Sequence, residues 1–152
     1  MHEVARSVIP HARIAYIDND PLVLAHARVM LADAPDVIAV RGDARRPFDF
    51  ITHDAVRELI NFSRPVGVLF AAVLHFVTDG EHPHGAVAWV RDRMAAGSYL
   101  VLSHVTSDGT GPAAMAAIQD AYKEASAPAV FRTAADIAWF FDGFDLAPPR
   151  PG

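Results

Sequence analysis

Two acids carry the most pointed chemistry in this sequence: Asp18, which closes the apolar run Ile14-Ala15-Tyr16-Ile17, and Asp43, which follows Val37-Ile38-Ala39-Val40 and the pair Arg41-Gly42. A carboxylate just beyond a buried strand can accept hydrogen bonds on both oxygens. The two hydroxyls of a ribose are matching donors, and an acid at the next strand end can accept from an adenine amino group. Two acids on neighbouring strands suit an adenosine better than a phosphate, which they would repel. Asp20 has a plainer use. It stands before Pro21 and an apolar helical pattern, where a carboxylate caps the helix and Pro fits the first helical position. Asp18 is the ligand candidate of the pair.

Histidine is the other chemically useful residue type. His75 falls near the end of an apolar run, where an imidazole could serve as a general base or pack and bond to backbone. His104 ends the next run and has a weaker version of the same claim. In Glu81-His82-Pro83-His84 the spacing permits a metal site, but it suits a solvated loop opening a helix better, and no His-Glu-x-x-His spacing exists. No metal site is expected. His26 reads as structural.

Strands and helices alternate around these residues. Strands are expected over residues 12–18, 36–43, 66–76 and 99–104, with a last one starting at 144–147. Helices are expected over 3–9, 21–34, 52–62, 85–95, 112–125 and 133–141. Residues 66–76 are almost wholly apolar, as in a central strand buried on both faces. The alternation implies an α/β fold, a mostly parallel sheet with helices on both faces. Ligands of such sheets bind beyond the carboxyl ends of the strands, and both acids lie there. Residues 107–112 form a loop candidate and, with the aromatic trio Trp139-Phe140-Phe141, the only candidate lining segments; the trio reads better as core.

Composition bounds the rest. The chain has 152 residues, 52% of them hydrophobic, which fits one domain over 1–152 with a real core. No repeat or interdomain linker interrupts it. A net charge of −5 without a basic run argues against nucleic-acid binding. The absence of cysteine excludes disulfides, thiolate catalysis and cysteine-bound zinc. No run approaches a membrane span, and the first residues do not resemble a secretory signal, so a cytoplasmic protein is expected.

With these residues in order, the chain resembles the S-adenosylmethionine-dependent methyltransferases of the Rossmann-like class, and most nearly an actinobacterial S-adenosyl methyltransferase family. "YIDNDPLVLAHAR" is similar to that class's ribose-binding strand end and following helix. "VRGDARRPF" resembles its Gly-Asp-Ala element, and "AAVLHFVTD" its fourth-strand motif. "MAAGSYLVLSH" is similar to its turn and fifth strand, and "FFDGFDL" to its Gly-Phe turn. The resemblance implies S-adenosylmethionine as cofactor and a small-molecule methyl acceptor. It implies that Asp18 binds the ribose with Asn19 beside it. Asp43 would accept from the adenine amino group, with Ala44 near the ring. Ala72 and Val73 would pass under the cofactor, and His75 and Phe76 would lie toward the methyl-donor side.

One part of the family pattern has no counterpart. The class carries a glycine-rich loop after a first strand, ahead of the helix that "HEVARSV" resembles, yet none of the nine glycines precedes Gly42. The expectation is therefore a methyltransferase domain shortened at its N-terminus, lacking that strand and loop. Such a domain would bind S-adenosylmethionine poorly and leave central strand edges open to association. A non-catalytic binding or scaffold protein derived from a methyltransferase is the alternative. A nicotinamide-dependent oxidoreductase would use the ribose acid equally well, but no Tyr-x-x-x-Lys relay is present. A response-regulator receiver domain shares the opening acids but needs a strand-end lysine, and the only lysine, Lys123, falls in a predicted helix.

Overall fold

The computed structural model describes residues 1–122 and 128–147. Lys123, the end of the helix expected over 112–125, and the closing Pro149-Arg150-Pro151-Gly152 lie outside the described residues. The chain forms two compact units that divide between Arg64 and Pro65.

In the first unit, α1 (His2–Val8) precedes β1 (Ile14–Asp18), α2 (Pro21–Met30), β2 (Val37–Arg41), α3 (Pro47–Ile51) and α4 (Asp54–Leu59). Strands β1 and β2 run parallel, in a register that sets Ile14 against Val37 and Asp18 against Arg41. Parallel strands need a crossover, and α2 supplies it. That helix begins where the sequence indicates: the Asp20 carboxylate accepts from the Leu22 N–H at 2.7 Å, and Pro21 opens the first turn. Its inward residue Leu24 is buried, as are Val37, Val40, Ile51 and Val56. Each such side chain removed from water stabilises by roughly 1.5–3 kcal/mol. His2 ties α1 to β1, its backbone N–H donating to the Tyr16 hydroxyl at 2.9 Å.

The second unit contains β3 (Gly67–Ala71), α5 (Pro83–Arg91), β4 (Tyr99–Ser103), α6 (Pro112–Ala121) and α7 (Ala134–Ala138). Strands β3 and β4 are also parallel, with Gly67 against Tyr99 and Ala71 against Ser103. Phe70, Leu74, Val77, Val87, Val90 and Phe140 form its core. The described strands thus make two parallel pairs, β1–β2 and β3–β4. The α/β class and parallel pairing are as the alternation implies.

Several expected elements differ. The third strand does not reach residue 76. It stops at Ala71, and Leu74–Phe76 form a 3-10 turn. The cause is Ala72, whose φ of 53° lies in the left-handed region and whose N–H turns to the Ser103 hydroxyl at 2.8 Å. The helix expected over 52–62 is the shorter α4 (Asp54–Leu59), and α3 (Pro47–Ile51) before it was not expected. His53 separates them and caps the second, its Nδ1 accepting from the Ala55 N–H. Residues 144–147 form no strand. The aromatic trio is a 3-10 turn that splits between environments: Phe140 is 2% exposed, Trp139 73%.

Candidate functional site

The first unit carries both acids to the same end of the β1–β2 pair. Asp18 is the last residue of β1, and its carbonyl accepts from the Gly42 N–H at 3.0 Å. Asp43 therefore follows immediately beyond the point where the strands part. Gly42 is required for this approach. A Cβ there would stand 2.6 Å from Ile17 Cγ2 and 2.7 Å from Phe50 Cβ, far inside contact distance.

The two carboxylates differ in how they are held. Asp18 is half-buried, and its Oδ1 accepts from the Asp20 N–H at 2.8 Å. That turn fixes the carboxylate at the strand end, with Asn19 exposed at the corner. Asp43 is gripped by Arg45. The Arg45 backbone N–H donates to Oδ1 at 2.9 Å, Nε reaches both oxygens at 2.8 and 2.9 Å, and Nη2 donates to Oδ2 at 2.5 Å. These bonds hold the Asp43 carboxyl below the usual carboxylate range, against the opposing effect of partial burial. An amino group approaching Asp43 would share its oxygens with Arg45. Ala44, half-buried, follows with a side chain too small to obstruct a flat ring. A hollow of about 420 Å³ in the first unit lies along β2 and is lined by Arg28, Arg41 and His53 but by neither Asp18 nor Asp43.

The second unit brings together the residues expected at the end of the third strand. Ala72 and Val73 form the bend after β3. His75 is 5% exposed, so it is enclosed and does not stand on an open surface. Its carbonyl accepts from the Val130 N–H at 2.7 Å, while its Nδ1 is buried with no hydrogen-bond partner. Its ring lies 4.3 Å from Phe76 and 5.5 Å from His104, centroid to centroid.

Arg132 sits among these histidines, and nothing in the sequence reading singled it out. It is 4% exposed. Its guanidinium donates to the carbonyls of Leu74 at 3.0 Å and Val77 at 2.8 Å, and to Asp79 Oδ1 through Nη2 at 2.6 Å and Nε at 3.1 Å. Nη1 also meets His104 Nε2 at 2.9 Å. The only local signal was an arginine directly after Val130-Phe131 and before the helix cap Thr133. Its ion-pair partner, Asp79, is remote in sequence, so spacing could not reveal the pair. Burial pushes the imidazoles of His75, His84 and His104 below the ordinary histidine range, and the Arg132 charge acts the same way on all three. His84 stacks on Phe140 at 4.1 Å, so it belongs to this core and not to the solvated loop expected for it. His82, exposed and left-handed at φ 56°, caps α5. Among the described residues no group of three His, Asp or Glu side chains is arranged to hold a metal ion.

The chain has clear relatives in sequence and fold. The profile of the S-adenosyl methyltransferase family matches residues 1–151. The solved structure of a candidate methyltransferase from Thermobifida fusca YX is 34% identical, with a TM-score of 0.89 over 97% of this chain. A DUF574 family protein from Streptomyces avermitilis is 32% identical, with a TM-score of 0.88 over 97%. The chain spans 55% and 57% of the length of those two proteins. No curated protein matches it at comparable significance. This chain belongs to the S-adenosyl methyltransferase family.

Proposed function

We propose that the protein takes part in methyl transfer from S-adenosylmethionine to a small molecule, and that this chain recognises the adenosine part of the cofactor. The observation that carries the reading is the pairing of Asp18 and Asp43 at one end of parallel β1 and β2. The donor set fits the group. Carboxylates match ribose hydroxyls and an adenine amino group, and of the arginines at the β2 end Arg45 is engaged by Asp43 and Arg46 by Asp49.

In this reading Asp18 takes the ribose hydroxyls, pre-oriented by the bond from the Asp20 N–H. Asp43 accepts from the adenine amino group beside its Arg45 partner, and Ala44 leaves room for the ring face. When bound, S-adenosylmethionine supplies an electrophilic methyl group on a sulfonium. What remains for the protein is to align acceptor, methyl carbon and sulfur and to exclude water. His75 has a role as base only if the acceptor must lose a proton, and its enclosure requires that the loop around it open first.

The test is a shift map. Adding S-adenosylhomocysteine to the labelled chain is expected to move the amide resonances of residues 18–20 and 42–45 in the 1H–15N spectrum. Perturbations confined to other segments, or none, would overturn the reading.

A further inference from the structure

The bend after β3 is held by one buried cation, and that cation uses a histidine lone pair. We propose that Arg132 and His104 form a proton-sensitive clamp on residues 72–79, with Arg132 as the positioning residue for the backbone of that segment. The clamp lies within the second unit and stands independently of the adenosine reading.

The geometry fixes the protonation state. His104 Nδ1 lies 2.7 Å from the Val105 carbonyl, which can only accept, so Nδ1 carries a proton. Arg132 Nη1 can only donate, so Nε2, 2.9 Å away, must present its lone pair. His104 is therefore neutral, with its proton on Nδ1, when the clamp is closed. In that state the guanidinium gathers three acceptors from the segment after β3: the Leu74 and Val77 carbonyls and the Asp79 carboxylate. These contacts hold the bend that leaves Ala72 in the left-handed region. The Arg132 backbone is itself anchored, its carbonyl accepting from the Ser107 N–H at 3.0 Å.

Protonation inverts one contact. Nε2 becomes a donor facing the donors of Arg132, and two cations then stand within hydrogen-bond distance. The new N–H also competes with Arg132 for the Leu74 carbonyl, which lies within its reach. The groups facing His104 are Arg132 from the 128–132 segment and His75 from the turn after β3, with Asp79 beyond the guanidinium. On the far side Phe140 separates it from His84, which Asp136 of α7 faces in turn. Among the described residues Asp79 is the acid that bonds Arg132, and it is 76% exposed, so it offsets the second cation weakly.

The test follows the full chain, labelled with 15N-histidine, through a pH titration while amide exchange is read. At neutral pH the His104 proton is expected on Nδ1. As His104 titrates, exchange at Phe76, Val77 and Val130 is expected to rise together by roughly tenfold or more, as for loss of one charge-assisted bond. His104→Gln keeps an acceptor for Arg132 and a donor for Val105, so it should keep the slow exchange and abolish the acid step. Arg132→Lys should restore part of the protection that Arg132→Met loses. A proton on Nε2, flat exchange while His104 titrates, or an unchanged acid step in His104→Gln would each overturn the clamp. Measuring S-adenosylhomocysteine affinity across the same range separates the two ideas. A clamp that opens without any cofactor binding at any pH leaves the clamp standing and removes the adenosine reading.

Discussion

Asp43 and Arg45 are the residues whose electrostatics are most sharply set. A carboxyl whose folded pKa is depressed contributes stability above its unfolded value, and that contribution is lost as pH falls through the folded value. Arg45→Ala removes the first cause of the depression, so Asp43 should move back up toward the ordinary carboxylate range. The variant should therefore lose less stability between neutral and acid pH than the wild type. Carboxyl-carbon NMR for Asp43, with denaturation curves at two pH values, checks both. At this scale the sequence was informative where chemistry is local. Asp18, Asp20 and Asp43 are read from their immediate neighbours, and the structure sets them at the β1–β2 end, where Gly42 permits the close approach. Arg132 was invisible because its partners are carbonyls and a remote acid, which leave no mark on spacing.

Among the elements, α2 is the one that aims a candidate ligand group, since it begins three residues after Asp18. Asp20→Ala removes the bond to the Leu22 N–H, and the expected cost is about 1 kcal/mol. Chemical denaturation measures this, with Asp20→Asn as the variant that should retain most of the cap. The strand–helix alternation was legible because apolar period and cap residues agree over 14–30 and 83–103. It misled where conformation overrides pattern. The apolar run 66–76 gives no hint that Ala72 takes a positive φ, so the expected strand ran five residues too far beyond Ala71. The helix expected over 52–62 is present but shorter, because His53 caps its start at Asp54 and Ile60 turns extended after Leu59.

At the scale of the whole molecule, family membership rests on order. Five pieces, each weak alone, carry the resemblance by their order in the sequence, and the family profile that runs from residue 1 to 151 shows the membership. The adenosine contacts assigned here all come from β1, β2 and the turns after them. Recognition should therefore depend on the ribose and adenine more than on the methionine tail. The most direct test of Asp18 as the ribose acceptor is a ligand cycle followed by NMR titration. Adenosine and 2′-deoxyadenosine are each titrated into the wild-type chain and into Asp18→Asn. A hydrogen bond to a charged acceptor is worth about 1.5–3 kcal/mol, so the wild type should prefer adenosine by roughly ten- to a hundredfold. In Asp18→Asn that preference should largely vanish, while the spectrum stays that of a folded chain. Equal affinity of the wild type for the two nucleosides, or a preference that survives in Asp18→Asn, would contradict the account.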